Sequence, residues 1–362
     1  MAKNDITTLL IIGNGFDLQC GLKTSYADFF AWLRKDSKRA NDNFWTVHFL
    51  NNMPTGNGWV DVEAKLLKIL PKNKGVNQFL RQCVSRANSY VSRRSGIGTV
   101  RHCEDKETEY IAMYIMNNIM PSMRPFSFNS CWFLDELNKF ENQFSEYLRT
   151  EVSGKKDSYT KNVAQLMSTI ADDGEVLNVL NFNYTDPFGL DCSHVEFNKK
   201  YMDLVRQKSN VHGVCEEDNI IFGVDYTEDL AQDMHIFTKT HRKMTQSINS
   251  EALPWHISTI KFYGHSLGKA DYSYFQSIFD NYNLYGGDLS YGQPRKPQVV
   301  LQFYFCIYDE SAKTDIIRDA TDSVYKLITV YGATLDNKDK GRNLLHKLLL
   351  EGRVRIEFLN NI

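Results

Sequence analysis

Leu9-Leu10-Ile11-Ile12-Gly13-Asn14-Gly15-Phe16-Asp17 is the stretch that decides the fold. Four apolar residues in succession show no alternation, so both faces of this strand are to be buried, as at the centre of a parallel sheet. The run stops at Gly13, and glycine at 13 and 15 predicts a tight turn that lets a ligand approach the backbone. After Gly21-Leu22-Lys23-Thr24, Tyr26, Phe29, Phe30 and Leu33 recur at helical spacing. Strand, glycine turn and helix in that order form a nucleotide-site layout, with the N–H groups of Gly13 to Asp17 facing a pyrophosphate. On this reading Gly15→Val ends ligand binding and leaves the fold largely intact.

Outward from this unit, Val176 to Phe182, Asn210 to Val214, Ile220 to Val224, Thr259 to Tyr263 and Val299 to Ile307 read as strands. Helical patterns over Tyr226 to Ile248, Ala270 to Asn281 and Ala312 to Tyr331 separate several of them, and a last helix, Gly341 to Leu350, leads into Val354 to Phe358. This alternation argues an α/β fold, a Rossmann-like parallel sheet with helices on both faces. Residues 1–42 and 174–362 would form that nucleotide-binding domain. Residues 43–173, periodic over Val60 to Leu70, Thr108 to Met120 and Trp132 to Glu151, would form a helical insertion subdomain.

Composition narrows the function. Forty-two Lys+Arg against 44 Asp+Glu in 362 residues give a net charge of −2, which disfavours nucleic acid held by bulk electrostatics. No apolar run near the start reaches the roughly 20 residues of a membrane span, and a cytoplasmic chain with no membrane partner is expected. Seven scattered cysteines contain no Cys-x-x-Cys pair, so no structural zinc is expected. The basic segment from Arg81 to Arg101 reads as a solvated surface, and Trp59, Asp61 and Glu63 as the start of an amphipathic helix.

Ligands of open α/β sheets sit beyond the carboxyl ends of the strands. Those ends hold Gly13, Asn14, Gly15, Phe16 and Asp17; Asn183, Tyr184 and Thr185; His212 and Gly213; Asp225; and Gly264, His265 and Ser266. Each set alone is ordinary turn chemistry. Their shared position makes them one candidate site.

These stretches, together with Trp59-Val60-Asp61-Val62-Glu63, Gly21 to Tyr26 and Asp271, resemble the bacteriophage abortive-infection AbiH family, in matching order from Gly13 to Asp271. The resemblance implies a bacterial antiphage defence protein. A more distant likeness is to sirtuin-like NAD-binding domains, which implies Asn183 and His212 as the catalytic pair and NAD as substrate or ligand. It implies contacts from Gly13, Asn14, Gly15, Phe16, Asp17, Thr185, Gly264, His265, Ser266 and Asp271. Thr185 replaces the aspartate of that pattern, Asp17 its serine, and the zinc-binding cysteines of deacylating sirtuins are absent, so NAD hydrolysis is expected rather than deacylation.

That chemistry needs few groups. Nicotinamide leaves from a cationic pyridinium, so the site has only to stabilise an oxocarbenium-like sugar and place a water. Asn183 would orient the ribose or water and His212 would take a proton, with Asp225 and Asp271 contributing less. Two other readings stay open. Asp17, His212, Asp225, His265 and Asp271 could ligate Mn or Mg in a nuclease or phosphoesterase. Alternatively, the chain could be a non-catalytic module that senses a small-molecule nucleotide or binds a partner, answering a phage-derived trigger. The aromatic run Tyr272 to Tyr285 could build an interface, although such a stripe is more often core, and a homo-oligomer is possible.

Overall fold

The structure is a computed structural model that describes residues 6–52, 62–69, 76–94, 106–119, 130–189, 203–225, 232–245, 252–286 and 298–360. Six strands form one sheet: β1 (Ile6–Ile12), β2 (Glu175–Asn181), β3 (Val205–Asn210), β4 (Thr259–Tyr263), β5 (Val300–Ile307) and β6 (Val354–Asn360). Their order is β3-β2-β1-β4-β5-β6 and every pairing is parallel. This is a Rossmann-like sheet, whose order reverses direction between β1 and β4.

The unbroken apolar run places β1 at the centre of the sheet. Leu9 and Ile11 enter a core with Phe262, Phe275, Phe303 and Ile328, while Leu10 and Ile12 enter a second core with Phe16, Tyr159, Met167 and Val179. One strand thus supplies both layers, as a doubly covered parallel sheet requires. Register then levels the carboxyl ends: Ile12 faces Asn181 on one side and Tyr263 on the other, and Asn181 faces Asn210. Gly13, Phe182, Val211 and Gly264, the next residues on, therefore start from one end of the sheet.

Among the described residues of 14–170 the α-helices are α1 (Asn14–Gln19), α2 (Tyr26–Arg34), α3 (Ser37–Ala40), α4 (Phe44–Asn52), α5 (Val62–Ile69), α6 (Val76–Arg94), α7 (Lys106–Tyr114) and α8 (Ser130–Ile170). The chain divides into two compact units. The first comprises Met1–Ser25, Leu148–Asn219 and Asn249–Ile362, and holds the sheet; the second comprises Tyr26–Tyr147 and Ile220–Ile248. The sequence boundary at 42/43 falls inside the second unit and that at 173/174 inside the first. α8, 41 residues without interruption, contributes to both units, with no break in sequence at 147/148.

The second unit, taken by itself, is helical and aromatic-rich, with Phe29, Phe30, Phe49, Phe140, Phe144 and Phe222 buried together. Ile220 to Val224 is buried here, outside the sheet; its one ladder contact is an isolated bridge from Val224 to Thr238. The expected strand is thus an extended segment, fixed by Glu141 accepting from the Phe222 N–H and by Arg242 reaching the Phe222 carbonyl. The other displaced strand is β3, at 205–210 rather than 210–214. Of the basic segment, residues through Arg94 are helical in α6, where Arg86 pairs with Glu109. Glu63 pairs with the buried Lys239 at 2.8 Å, while Trp59, Asp61 and Arg101 lie outside the described residues.

Candidate functional site

At the carboxyl end of the sheet, two histidines face one carboxylate. His212, just past β3, places Nε2 3.2 Å from Oδ1 of Asp271. His265, just past β4, places Nε2 3.4 Å from Oδ2 of the same residue. A backbone bond fixes the second ring: the Leu267 N–H donates to His265 Nδ1 at 2.9 Å, so the ring proton is on Nε2 and faces Asp271. Leu267 makes this bond at φ +52, a left-handed conformation that costs a branched side chain about 1–2 kcal/mol. An ionised carboxylate only accepts, so toward Asp271 the donor of this bond is the N–H at His212 Nε2.

Phe182 packs between these rings, edge-to-face with His212 at 5.4 Å and His265 at 4.9 Å between centroids, and Tyr184 lies 6.1 Å from His212. The residue between them is Asn183. Its backbone is set by Asn181, whose Oδ1 accepts from the Asn183 N–H at 2.9 Å and whose Nδ2 donates to the Thr185 carbonyl and to Asn210 Oδ1. Asn183 is 2% exposed, yet among the described residues neither its amide nitrogen nor its amide oxygen has a hydrogen-bond partner. Burying such a group unpaired costs about 1–3 kcal/mol.

The glycine turn serves a different purpose from the one expected. Neither Gly13 nor Gly15 has a positive φ; Gly13 is extended, at φ −128 and ψ −177. Space is what demands glycine. A Cβ on Gly13 would stand 2.6 Å from His265 Cα, and one on Gly15 2.7 Å from Gly264 Cα. Gly264 itself has φ +64 and packs on the Phe16 N–H. The N–H groups of Gly13, Gly15 and Phe16 donate to Tyr263, Gly264 and Gly13 carbonyls, so they are already engaged within the protein.

The remaining turn residues sit as follows. Asn14 accepts from the Thr24 hydroxyl, and Phe16 is core, edge-to-face with Tyr263. Asp17 is 1% exposed and accepts from Tyr159 at 2.6 Å and from Thr185. Burial pushes its carboxyl up to about 6 despite those hydroxyls, and it raises the Tyr159 phenol in turn. Ser266 is exposed. Among the described residues no three His, Cys, Asp or Glu side chains converge as metal ligands, and Asp225 belongs to the second unit. Sequence reading grouped Asp271 with the minor contacts; 59 residues from His212 along the chain, its partnership with that histidine has no local sequence signal.

Comparison with known proteins bears on this arrangement. Residues 9–288 match the family described as bacteriophage abortive infection AbiH. The chain belongs to the AbiH family. No curated protein and no solved structure matches it at a significant level. Membership carries the abortive-infection role in defence against phage, and the AbiH match spans every residue of the histidine–aspartate–histidine cluster and the Asn183 loop. No helix among the described residues of this AbiH chain is long and apolar enough to cross a membrane.

Proposed function

We propose that this AbiH protein acts in abortive infection as a hydrolase of a nucleotide N-glycosidic bond, with NAD as the substrate to test first. The observation that carries the reading is Asn183: a buried amide without partners among the described residues, in a loop whose flanking rings pack on His212. A group kept unpaired at a cost in stability is the kind of feature that ligand binding satisfies. With the N–H groups of Gly13, Gly15 and Phe16 engaged, the reading rests on the glycosidic end of the site. Asn183 would hydrogen-bond the ribose or the attacking water. His212 would accept the water proton, and Asp271 would hold the ring and stabilise the imidazolium that forms. In this step the C–N bond breaks with its electron pair leaving on nicotinamide, and water oxygen bonds the sugar carbon.

Incubating the full chain with NAD, with and without EDTA, and measuring free nicotinamide tests the proposal. EDTA-insensitive release supports it. EDTA-sensitive cleavage of RNA or DNA with no nicotinamide released would replace it with the metal-dependent nuclease reading.

A further inference from the structure

The sheet has two edges, and they are built differently. β3 reads Val205-Arg206-Gln207-Lys208-Ser209-Asn210, two cations and no anion, the composition that keeps a second strand away. β6 reads Val354-Arg355-Ile356-Glu357-Phe358-Leu359-Asn360, with no proline and with unbroken register against β5. Arg355 and Glu357 are exposed, and Val354, Ile356 and Phe358 are only partly covered. Among the described residues its ladder is with β5 alone. Leu349 and Leu350, both exposed, lie on the approach to the strand.

Backbone direction can be read from one bond. The Arg353 carbonyl accepts from the Leu301 N–H, so odd-numbered residues of β6 turn their backbone groups toward β5 and even-numbered residues turn theirs outward. Val354, Ile356 and Phe358 are therefore the residues able to pair with another chain.

We propose that β6 pairs antiparallel with β6 of a second copy about a two-fold axis at Ile356, joining the two sheets edge to edge. This axis sets Ile356 opposite itself and Val354 opposite the partner's Phe358, so every outward-facing residue meets an outward-facing one. Arg355 then lies opposite the partner's Glu357, and by symmetry this attractive pair occurs at both positions. Other axes fail. One at Arg355 opposes two guanidinium groups, one at Glu357 opposes two carboxylates, and one at Val354 opposes Arg353 and Arg355. One at Phe358 keeps no charge pair, and an axis between residues sets outward groups against inward ones. The strand is self-complementary in a single register, which points to a second copy rather than to an unrelated segment.

Sedimentation velocity on the full chain tests this, with circular dichroism to confirm that each variant is folded. The wild type should sediment as a dimer at micromolar concentration. Arg355→Glu and Glu357→Arg each convert attraction into like-charge repulsion at both symmetric positions and should raise the dimer Kd about tenfold or more. The double variant, Arg355→Glu with Glu357→Arg, should restore the dimer. A monomeric wild type, single variants that dimerise as well as the wild type, or a double variant as weak as the singles would each overturn the proposal. The outcome is independent of the reading of the His212 site.

Discussion

Gly15 and Gly264 meet backbone to backbone: the Gly15 N–H donates to the Gly264 carbonyl at 2.8 Å, and a Cβ on Gly15 would stand 2.7 Å from Gly264 Cα. The contact locks the turn after β1 onto the turn after β4, across the point where the sheet order reverses. Because both opposing atoms are backbone, no rotamer change relieves the clash. Gly15→Ala is expected to destabilise the chain by about 2 kcal/mol and Gly15→Val by more, read as a lower urea midpoint. The sequence expectation of an intact fold in Gly15→Val is corrected by this contact. An unchanged midpoint in Gly15→Ala would show that the β4 turn can retreat.

Asp17 predicts a pH dependence of stability. Its carboxyl has an ordinary value of 3.8 and is raised in the folded chain to about 6 by burial. The folded state therefore binds the proton more tightly than the unfolded state. This contribution is fully present below about pH 4, falls as pH rises toward 6, and is lost above that, a change of roughly 3 kcal/mol in all. Asp17→Asn cannot ionise and should lack this slope. Urea denaturation at pH 4.5 and 7.5 should show the variant gaining on the wild type at the higher pH, while parallel curves at both pH values would reject the assignment.

Lys261, 1% exposed on β4, donates to Glu175 and Asp172 and to the Ile170 carbonyl, all at 2.7–2.9 Å. Glu175 is itself 2% exposed and also accepts from Thr8. Removing only the cation leaves a buried carboxylate without its charge partner. Lys261→Met should cost about 3–5 kcal/mol, and Lys261→Met with Glu175→Gln should recover part of that. Equal costs for the single and the double variant would mean that the pair's charge is immaterial to the fold.

The parts of the fold legible in sequence were those with an unambiguous hydrophobic pattern. Leu9 to Ile12 announced a central strand because nothing else needs four buried residues in a row at a glycine turn. β3 gave no such signal, since an edge strand of Arg206, Gln207 and Lys208 has little to bury. Ile220 to Val224 gave a false one, because its apolar residues are covered by Phe140 and Phe144 rather than by a sheet. In the site, strand-end position singled out Asn183, His212 and His265. What it missed were side-chain pairings distant in sequence: Asp271 with His212, and Tyr159 and Thr185 with Asp17. The role of Gly13 and Gly15 was hidden for the same reason, as their neighbour is the β4 turn some 250 residues on.

The unpaired amide of Asn183 permits a test that separates chemistry from structure. Most buried asparagines are hydrogen-bonded, and truncating them is destabilising. Here Nδ2 and Oδ1 have no partner to lose among the described residues, so Asn183→Ala should leave the urea midpoint unchanged or raise it. Turnover of NAD should nevertheless fall about 10²-fold, because the group that positions ribose or water is gone. His212→Ala should lose at least as much, as the proton acceptor. Asp271→Asn should also lose activity, unlike the minor effect expected from sequence, since its carboxylate holds the His212 proton on Nε2. Nicotinamide release by the three variants, measured beside their denaturation curves, gives both readouts. If Asn183→Ala lost stability and turnover in proportion, the amide would be a structural element and its place in the reaction would fall.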